Sequence, residues 1–255
     1  MEKQLSMLDM IIETHSGLER QGPGSLEATI KALSFVDDLG KNARILDLAC
    51  GTGGQTMVIA QNISGDITGL DIIPEFIYAF NENAKKHNLQ DRMRGVIGSM
   101  EDLDFEEEAF DLIWSEGAID NIGFEKGIGY WNGFLAQGGF IAVTCPTWLT
   151  DECPDEIEKF WGDAVGGLST TNQNIAAIQR TGYRFVAAFT LPDTCWTENY
   201  FAPRDAADKA LLEKYPGDKT VEAYLEGNKY ERELFSRFSQ HYGYVFYIAK
   251  KIEAV

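Results

Sequence analysis

The run Ile45-Leu46-Asp47-Leu48-Ala49-Cys50-Gly51-Thr52-Gly53-Gly54-Gln55-Thr56, followed by Ile67-Thr68-Gly69-Leu70-Asp71, decides how this chain reads. The apolar stretch through Leu48 suits a parallel strand buried on both faces. The glycines after it let the backbone turn sharply into a helix while leaving room for a ligand against the main chain. The second apolar stretch ends in a carboxylate. An acidic residue about 20 positions past such a loop, at the tip of the next strand, is placed to accept hydrogen bonds from the two hydroxyls of a ribose. Asp71 holds that place, so a ligand is expected at the loop.

The loop's details separate one nucleotide class from another. A dinucleotide fold wants a third small residue where its helix packs on the strand, and Thr56 stands there instead. The order Asp47-x-x-x-Gly51-x-Gly53 resembles motif I of the class I S-adenosylmethionine-dependent methyltransferases. In that family the loop passes the methionine half of the cofactor, and the acidic residue helps hold its amino group. The family's usual glycine two residues after the acidic one is Ala49 here. Further landmarks follow in family order. Gly98-Ser99-Met100-Glu101-Asp102 is similar to the segment along the adenine edge, with Ser99 where the family often has aspartate. Phe110-Asp111-Leu112-Ile113-Trp114-Ser115-Glu116 is similar to the fourth strand, which ends beside the sulfonium centre. Leu135-Ala136-Gln137-Gly138-Gly139-Phe140 looks like the glycine turn before the fifth.

The resemblance covers about residues 40 to 148 and bears on fold and cofactor, not on the methyl acceptor. It implies an α/β, Rossmann-like sheet of seven mostly parallel strands, in the order 3-2-1-4-5-7-6, with helices on both faces and the last strand antiparallel. It also implies S-adenosyl-L-methionine as cofactor. Asp47, Ala49, Gly51, Gly53 and Gln55 would lie along the loop, Asp71 and Ile72 at the second strand's end, Ser99 and Met100 at the adenine, and Ser115 at the fourth strand's end. No metal is called for, because the acidic run Glu101 to Asp111 reads as an exposed loop without a fixed ligand register.

Bulk properties narrow the field. The 255 residues suffice for one α/β core with additions, so a single domain is expected. A net charge of −18 opposes approach to phosphate backbones, and no lysine or arginine cluster offsets it, which disfavours nucleic acid. Cys50, Cys145, Cys153 and Cys195 form no C-x-x-C pair and fit neither a disulfide framework nor a zinc cage. Met1 to Ile12 has no basic n-region and no long apolar run, so neither a signal peptide nor a membrane span is expected, and a cytoplasmic location is the default. A monomer or a homodimer suits this reading.

Outside the motifs, helices are expected over Ser25 to Leu39, Pro74 to His87, Phe124 to Ala136, Asp155 to Ala164 and Asp218 to Gln240. The aromatic and β-branched stretches 183–191 and 242–250 read as strands. Segments 1–25, 149–175 and 192–240 exceed what the shared core needs, and they are expected to fold over the carboxyl ends of the sheet as a lid. The stripe Val221, Tyr224, Leu225, Leu234, Phe235 and Phe238 reads as a helix face packed on its own protein. Trp196, Tyr200 and Phe201, set in a loop, read as pocket residues.

The glycine-rich segment His15 to Ser25 has two readings, a flexible turn or a strap across the cofactor mouth. In the second, Arg20 or Gln21 meets the methionine carboxylate, for which arginine's planar fork is suited, and His15 faces the acceptor. Methyl transfer from a sulfonium is an in-line displacement, so the protein must aim a nucleophile and exclude water. A general base is needed only for a nucleophile that arrives protonated. Glu116 and His15 are the candidates, with Asp120 and Asn121 as binders of acceptor polar groups. The function expected is methyl transfer to a small-molecule acceptor. The alternative is a non-catalytic cofactor-binding or scaffold protein with this fold.

Overall fold

The computed structural model describes residues 5–37 and 39–252. Apolar residues alternate between two faces along each central strand, and both faces are covered. In β1 (Ala43–Leu48), Ile45 packs in one core and Leu46 and Leu48 in the other; in β4 (Phe110–Ser115), Leu112 and Trp114 take the first and Ile113 the second. That pattern demands helices above and below. On one face lie α2 (Leu26–Leu33), α3 (Gly54–Asn62) and α4 (Pro74–Lys86), which bring Ala32, Met57 and Phe80 to the first core. On the other, α5 (Phe124–Trp131) and α7 (Thr171–Arg180) bring Trp131 and Ile178.

With β2 (Gly65–Asp71), β3 (Met93–Ile97), β5 (Leu135–Trp148), β7 (Tyr183–Thr190) and β8 (Tyr242–Lys251), the sheet runs β3-β2-β1-β4-β5-β8-β7. The first four pairings are parallel, and β8 runs antiparallel to both β5 and β7, as the resemblance implies. Parallel strands deliver β1, β2 and β4 with their carboxyl ends on one side, which is where loops gather into a site.

Several boundaries differ from expectation for local reasons. The helix expected to reach Leu39 ends at Leu33, where the Ser34 amide donates to both Ile30 and Ala32 carbonyls and tightens the last turn. Asp38, in the loop expected to close that helix, lies outside the described residues. The helix expected to reach Ala136 stops at Trp131, and a 3-10 turn over Asn132–Phe134 leads directly into β5, so Leu135 already pairs with Phe110. A register shift between Phe110 and Leu112 absorbs the glycine pair that reads as a turn. A two-residue β6 (Ser169–Thr170) adds an eighth piece beside the far end of β5.

The segments beyond the shared core form further helices. These are α1 (Met7–His15), capped reciprocally by Ser6 and Asp9, α6 (Asp155–Val165), α9 (Ala202–Lys214) and α10 (Lys219–Phe238), with α8 (Thr194–Trp196) and a π-helical turn leading into α9. Val221, with Tyr224 and Leu225 beside it, packs on Met10 and Leu211, while Leu234 and Phe235 enter the main core. The stripe is therefore an internal contact. No described helix is long and apolar enough to cross a membrane.

Candidate functional site

At the carboxyl end of β1 the backbone turns through two left-handed residues, Ala49 at φ 54° and Gly51 at φ 56°. For Ala49, where the family's glycine would stand, this conformation costs about 1–2 kcal/mol. At Gly51 a Cβ would collide with Gln21 Oε1, so only glycine fits the turn while the strap is docked. The turn aims the Gly51 amide at Asp71 Oδ2, 2.9 Å away, and Asp71 Oδ1 accepts from the Ile73 amide at 2.9 Å. Burial raises the Asp71 pKa, and the surrounding backbone N–H groups oppose that rise.

Below the turn, Asp47 is fully buried. Its Oδ2 accepts from Thr56 Oγ1 at 2.5 Å and Gln55 Nε2 at 3.2 Å, while Oδ1 has no hydrogen-bond partner among the described residues. Burial pushes its pKa up to about 8 against those two hydrogen bonds. Thr56, whose bulk argues against a dinucleotide loop, thus has a positive task in orienting this carboxylate. An unpaired buried oxygen is expensive in an apolar setting, and an ammonium beside it would remove the cost.

The strap comes down over the loop. Thr52 N donates to Gln21 Oε1 at 2.9 Å, and Gln21 Nε2 donates to Thr52 Oγ1 at 3.0 Å, a two-point clasp. Arg20 Nη1 donates to Glu116 Oε2 at 2.8 Å, with the two side chains only 7% and 4% exposed. Arg20 Nη2 donates to Thr29 Oγ1, and Glu116 Oε1 accepts from Thr29 Oγ1 and from Trp114 Nε1. Glu116, the candidate general base, therefore accepts from three donors in this arrangement. Thr29 and Trp114 join the site through these bonds; Trp114 is two residues from Glu116, whereas only a folded chain brings Thr29 there.

Two cavities result. The first, about 140 Å³, is lined by Ala49, Gly51, Gln55 and Asp71 on the core side and by Arg20, Gln21 and Glu116 on the strap side. The second, about 210 Å³, is lined by Asp120, Trp161, Trp196, Tyr200, Glu231 and Tyr244 among others. Gln21, Gly22, Pro23 and Gly117 belong to both walls. Between them Gly22 and Gly117 face each other, and a Cβ on either would lie 3.9 Å from the other's Cα, so side chains at these positions would fill the junction.

Other anticipated residues lie elsewhere. His15 lines neither cavity. Its Nδ1 is 2.8 Å from Thr14 Oγ1 and 3.1 Å from the Ile11 carbonyl, its ring lies 6.3 Å from that of Tyr200, and burial with the Arg204 charge lowers its pKa to about 4. This corrects its placement opposite the acceptor. Gly53 caps α3, with Phe80 and Met57 filling the space beside it. Ile72 is 68% exposed. Ser99 and Met100 do not line the first cavity. Ser115 is buried under the strand end with its Oγ unpartnered among the described residues. Asn121 turns back to bond the Ala118 carbonyl, whereas Asp120 lines the second cavity with Oδ1 unpartnered and a pKa raised by burial to about 6. Phe201 packs on Phe235 instead of lining a pocket.

Glu231 and Tyr244 have no motif. A signal for Glu231 does exist, because it sits with Asn228 on the apolar stripe of α10, three and four residues before Leu234 and Phe235. A polar residue on such a stripe is a candidate for a buried task.

Residues 39–160 match the profile of a methyltransferase domain. A sarcosine/dimethylglycine N-methyltransferase of Aphanothece halophytica is 28% identical over 63% of this chain and 60% of its own length. A phosphoethanolamine N-methyltransferase of Plasmodium falciparum is 33% identical over 55% and 50%. The chain spans roughly half the length of the curated relatives it matches. In structure it is similar to a methyltransferase of Thiobacillus denitrificans solved with S-adenosylhomocysteine. The TM-score is 0.81, at 18% identity, over 98% of this chain and 100% of that one. Residues 39–160 thus match a methyltransferase domain, within a sheet whose strand order is the one that the resemblance to the class I S-adenosylmethionine-dependent methyltransferases implies.

Proposed function

We propose that the chain transfers the methyl group of S-adenosylmethionine to a small-molecule acceptor held in the second cavity. The observation that carries this reading is the pair of cavities meeting across Gly22 and Gly117, one floored by the Ala49–Gly51 turn and Asp71, the other walled by aromatic side chains. A scaffold that only bound the cofactor would need no second cavity. Two relatives are named N-methyltransferases of small molecules, which supports an acceptor of that size.

The chain's own groups fit the cofactor. Asp71, already fixed by two backbone amides, would accept from the ribose hydroxyls with its remaining lone pairs. Asp47, with its orphaned Oδ1, would favour the amino group from below. Arg20 lines the first cavity and can meet the methionine carboxylate, sharing its donors with Glu116. The cofactor supplies an electrophilic methyl on a sulfonium. The protein supplies alignment across the glycine junction and exclusion of water by the clasped strap.

S-adenosylhomocysteine at millimolar concentration is expected to raise the melting temperature of the protein, and Asp71→Ala to abolish the rise. Removing a charged acceptor of this kind costs roughly 1.5–3 kcal/mol of binding, about ten- to a hundredfold. Absence of any shift with the wild-type chain would refute the cofactor assignment. Labelled methyl appearing on no acceptor in a metabolite pool, despite such a shift, would favour the scaffold.

A further inference from the structure

The second cavity has an unusual wall. Trp161, Trp196, Tyr200 and Tyr244 present aromatic rings, with Trp196 5.2 Å from Tyr244 and tilted by 47°, and two carboxylates, Asp120 and Glu231, complete the lining. The two carboxylates are not equivalent. Glu231 has Arg204 Nη1 and Nη2 at 3.5 Å, and Arg204 also stands 4.9 Å over the Tyr200 ring and bonds its hydroxyl, so the charge of Glu231 is answered from within the protein. Asp120 Oδ1 has no hydrogen-bond or ion-pair partner among the described residues. Burial raises the pKa of Tyr244 and Cys145, and the charge of Asp120 adds to the rise of both.

Resting on the methyltransferase reading above, we infer that this cavity takes an amine as the methyl acceptor, received in its ammonium form between the aromatic faces and Asp120. A cation over aromatic faces is attracted by their quadrupoles, and the attraction grows when the site is dry. A buried carboxylate without a partner is costly, and an ammonium is the ligand that cancels the cost. An anionic acceptor would meet like charge there. A purely apolar one would leave Asp120 desolvated and unpaired.

The chemistry balances. The ammonium gives a proton to the Asp120 carboxylate, freeing the nitrogen lone pair. That pair forms the new C–N bond as the methyl's bond to sulfur breaks, and the electrons of the broken bond stay on sulfur as a neutral thioether. The methylated ammonium product leaves, and the Asp120 carboxyl returns its proton to water. A burial-raised pKa near 6 suits a group that must first take the proton and then release it.

Choline and its neutral isostere 3,3-dimethylbutan-1-ol test the inference without turnover, because choline's nitrogen cannot be methylated. Binding is read by calorimetry and by quenching of tryptophan fluorescence. Choline is expected to bind about tenfold or more tightly than the isostere. Asp120→Asn, which keeps the shape of the side chain, is expected to cut that preference severalfold, leaving the share due to the aromatic faces, while its melting temperature shows that the fold stands. Equal binding of the two probes, or a preference undiminished by Asp120→Asn, overturns the inference. If S-adenosylhomocysteine stabilises the protein and choline shows no preference, the amine assignment fails and the methyltransferase reading stands. If S-adenosylhomocysteine has no effect, that reading fails, and the choline preference still decides what the pocket binds.

Discussion

The floor of the first cavity and the wall of the second are built by different means. The floor is main chain: two left-handed residues, an amide aimed at a carboxylate and a helix start, all within the short run from Asp47 to Asp71. The wall is side chain, drawn from the turn after β4, from α6, α8, the π-helical turn, α10 and β8, positions that span about half of the sequence. Backbone geometry of the first kind tolerates few residue types at each place, so it leaves a motif. A pocket of the second kind can exchange one aromatic for another without disturbing the fold, and its specificity is free to vary while the motif stays.

The strap is where the two meet, and it gives the largest test of the contrast. Arg20 pins the strap to Glu116 in a nearly fully buried pair, and removing one partner of such a pair strands the other charge. Arg20→Ala is expected to lower the unfolding free energy by about 3–5 kcal/mol in urea titration, and the double variant Arg20→Met, Glu116→Gln to recover most of the loss. A loss under about 1 kcal/mol would break the comparison, because floor and wall would then be independent of the pin they share.

The same division explains what the sequence reveals. The strand order is legible only through the resemblance, whereas the helix starts at Ser25, Pro74 and Asp218 and the acidic tips Asp47 and Asp71 are legible because each rests on periodicity, a cap or a turn spanning a few residues. Missed are the ends of α2 and α5, set by competing turns, and the helices α7 and α9. His15 is misread because an imidazole in a glycine-rich segment looks available, whereas Thr14, the Ile11 carbonyl and the Tyr200 ring enclose it. The bonds that engage Glu116 go unforeseen because its partners Arg20 and Thr29 are 96 and 87 residues away. Long-range pairing leaves no trace in local composition.

His15 gives the second test, on the strap's connection to the wall. Its pKa is lowered from 6.5 to about 4 by burial and by Arg204. Between those values the unfolded chain binds a proton that the folded chain does not. The His15 contribution is therefore complete above pH 6.5 and is lost as pH falls toward 4. The loss is about 3 kcal/mol over that window, at 1.36 kcal/mol per pH unit. Asp47 and Asp120, with raised values, act in the opposite direction, so the effect is read as the difference between wild type and His15→Gln across pH 7 to 4.5. Parallel curves would show that His15 takes its proton without disturbing the contact with Tyr200 and Arg204, and that the strap meets the wall loosely.

The smallest effect should come from the floor itself. Thr56→Val keeps the volume of the side chain and removes one donor from Asp47, leaving Oδ2 with Gln55 alone at 3.2 Å and Oδ1 still unpaired. The cost is about 1–2 kcal/mol, a fall of roughly 2–8 °C in melting temperature. Since Asp47 lies beneath the first cavity and far in sequence from the second, the variant should weaken S-adenosylhomocysteine and leave the choline-to-isostere ratio unchanged. A shift in that ratio would mean that the orientation of Asp47 is transmitted through the glycine junction. Floor and wall would then be one site tuned together, and the contrast between them would hold for how they are encoded but not for how they act.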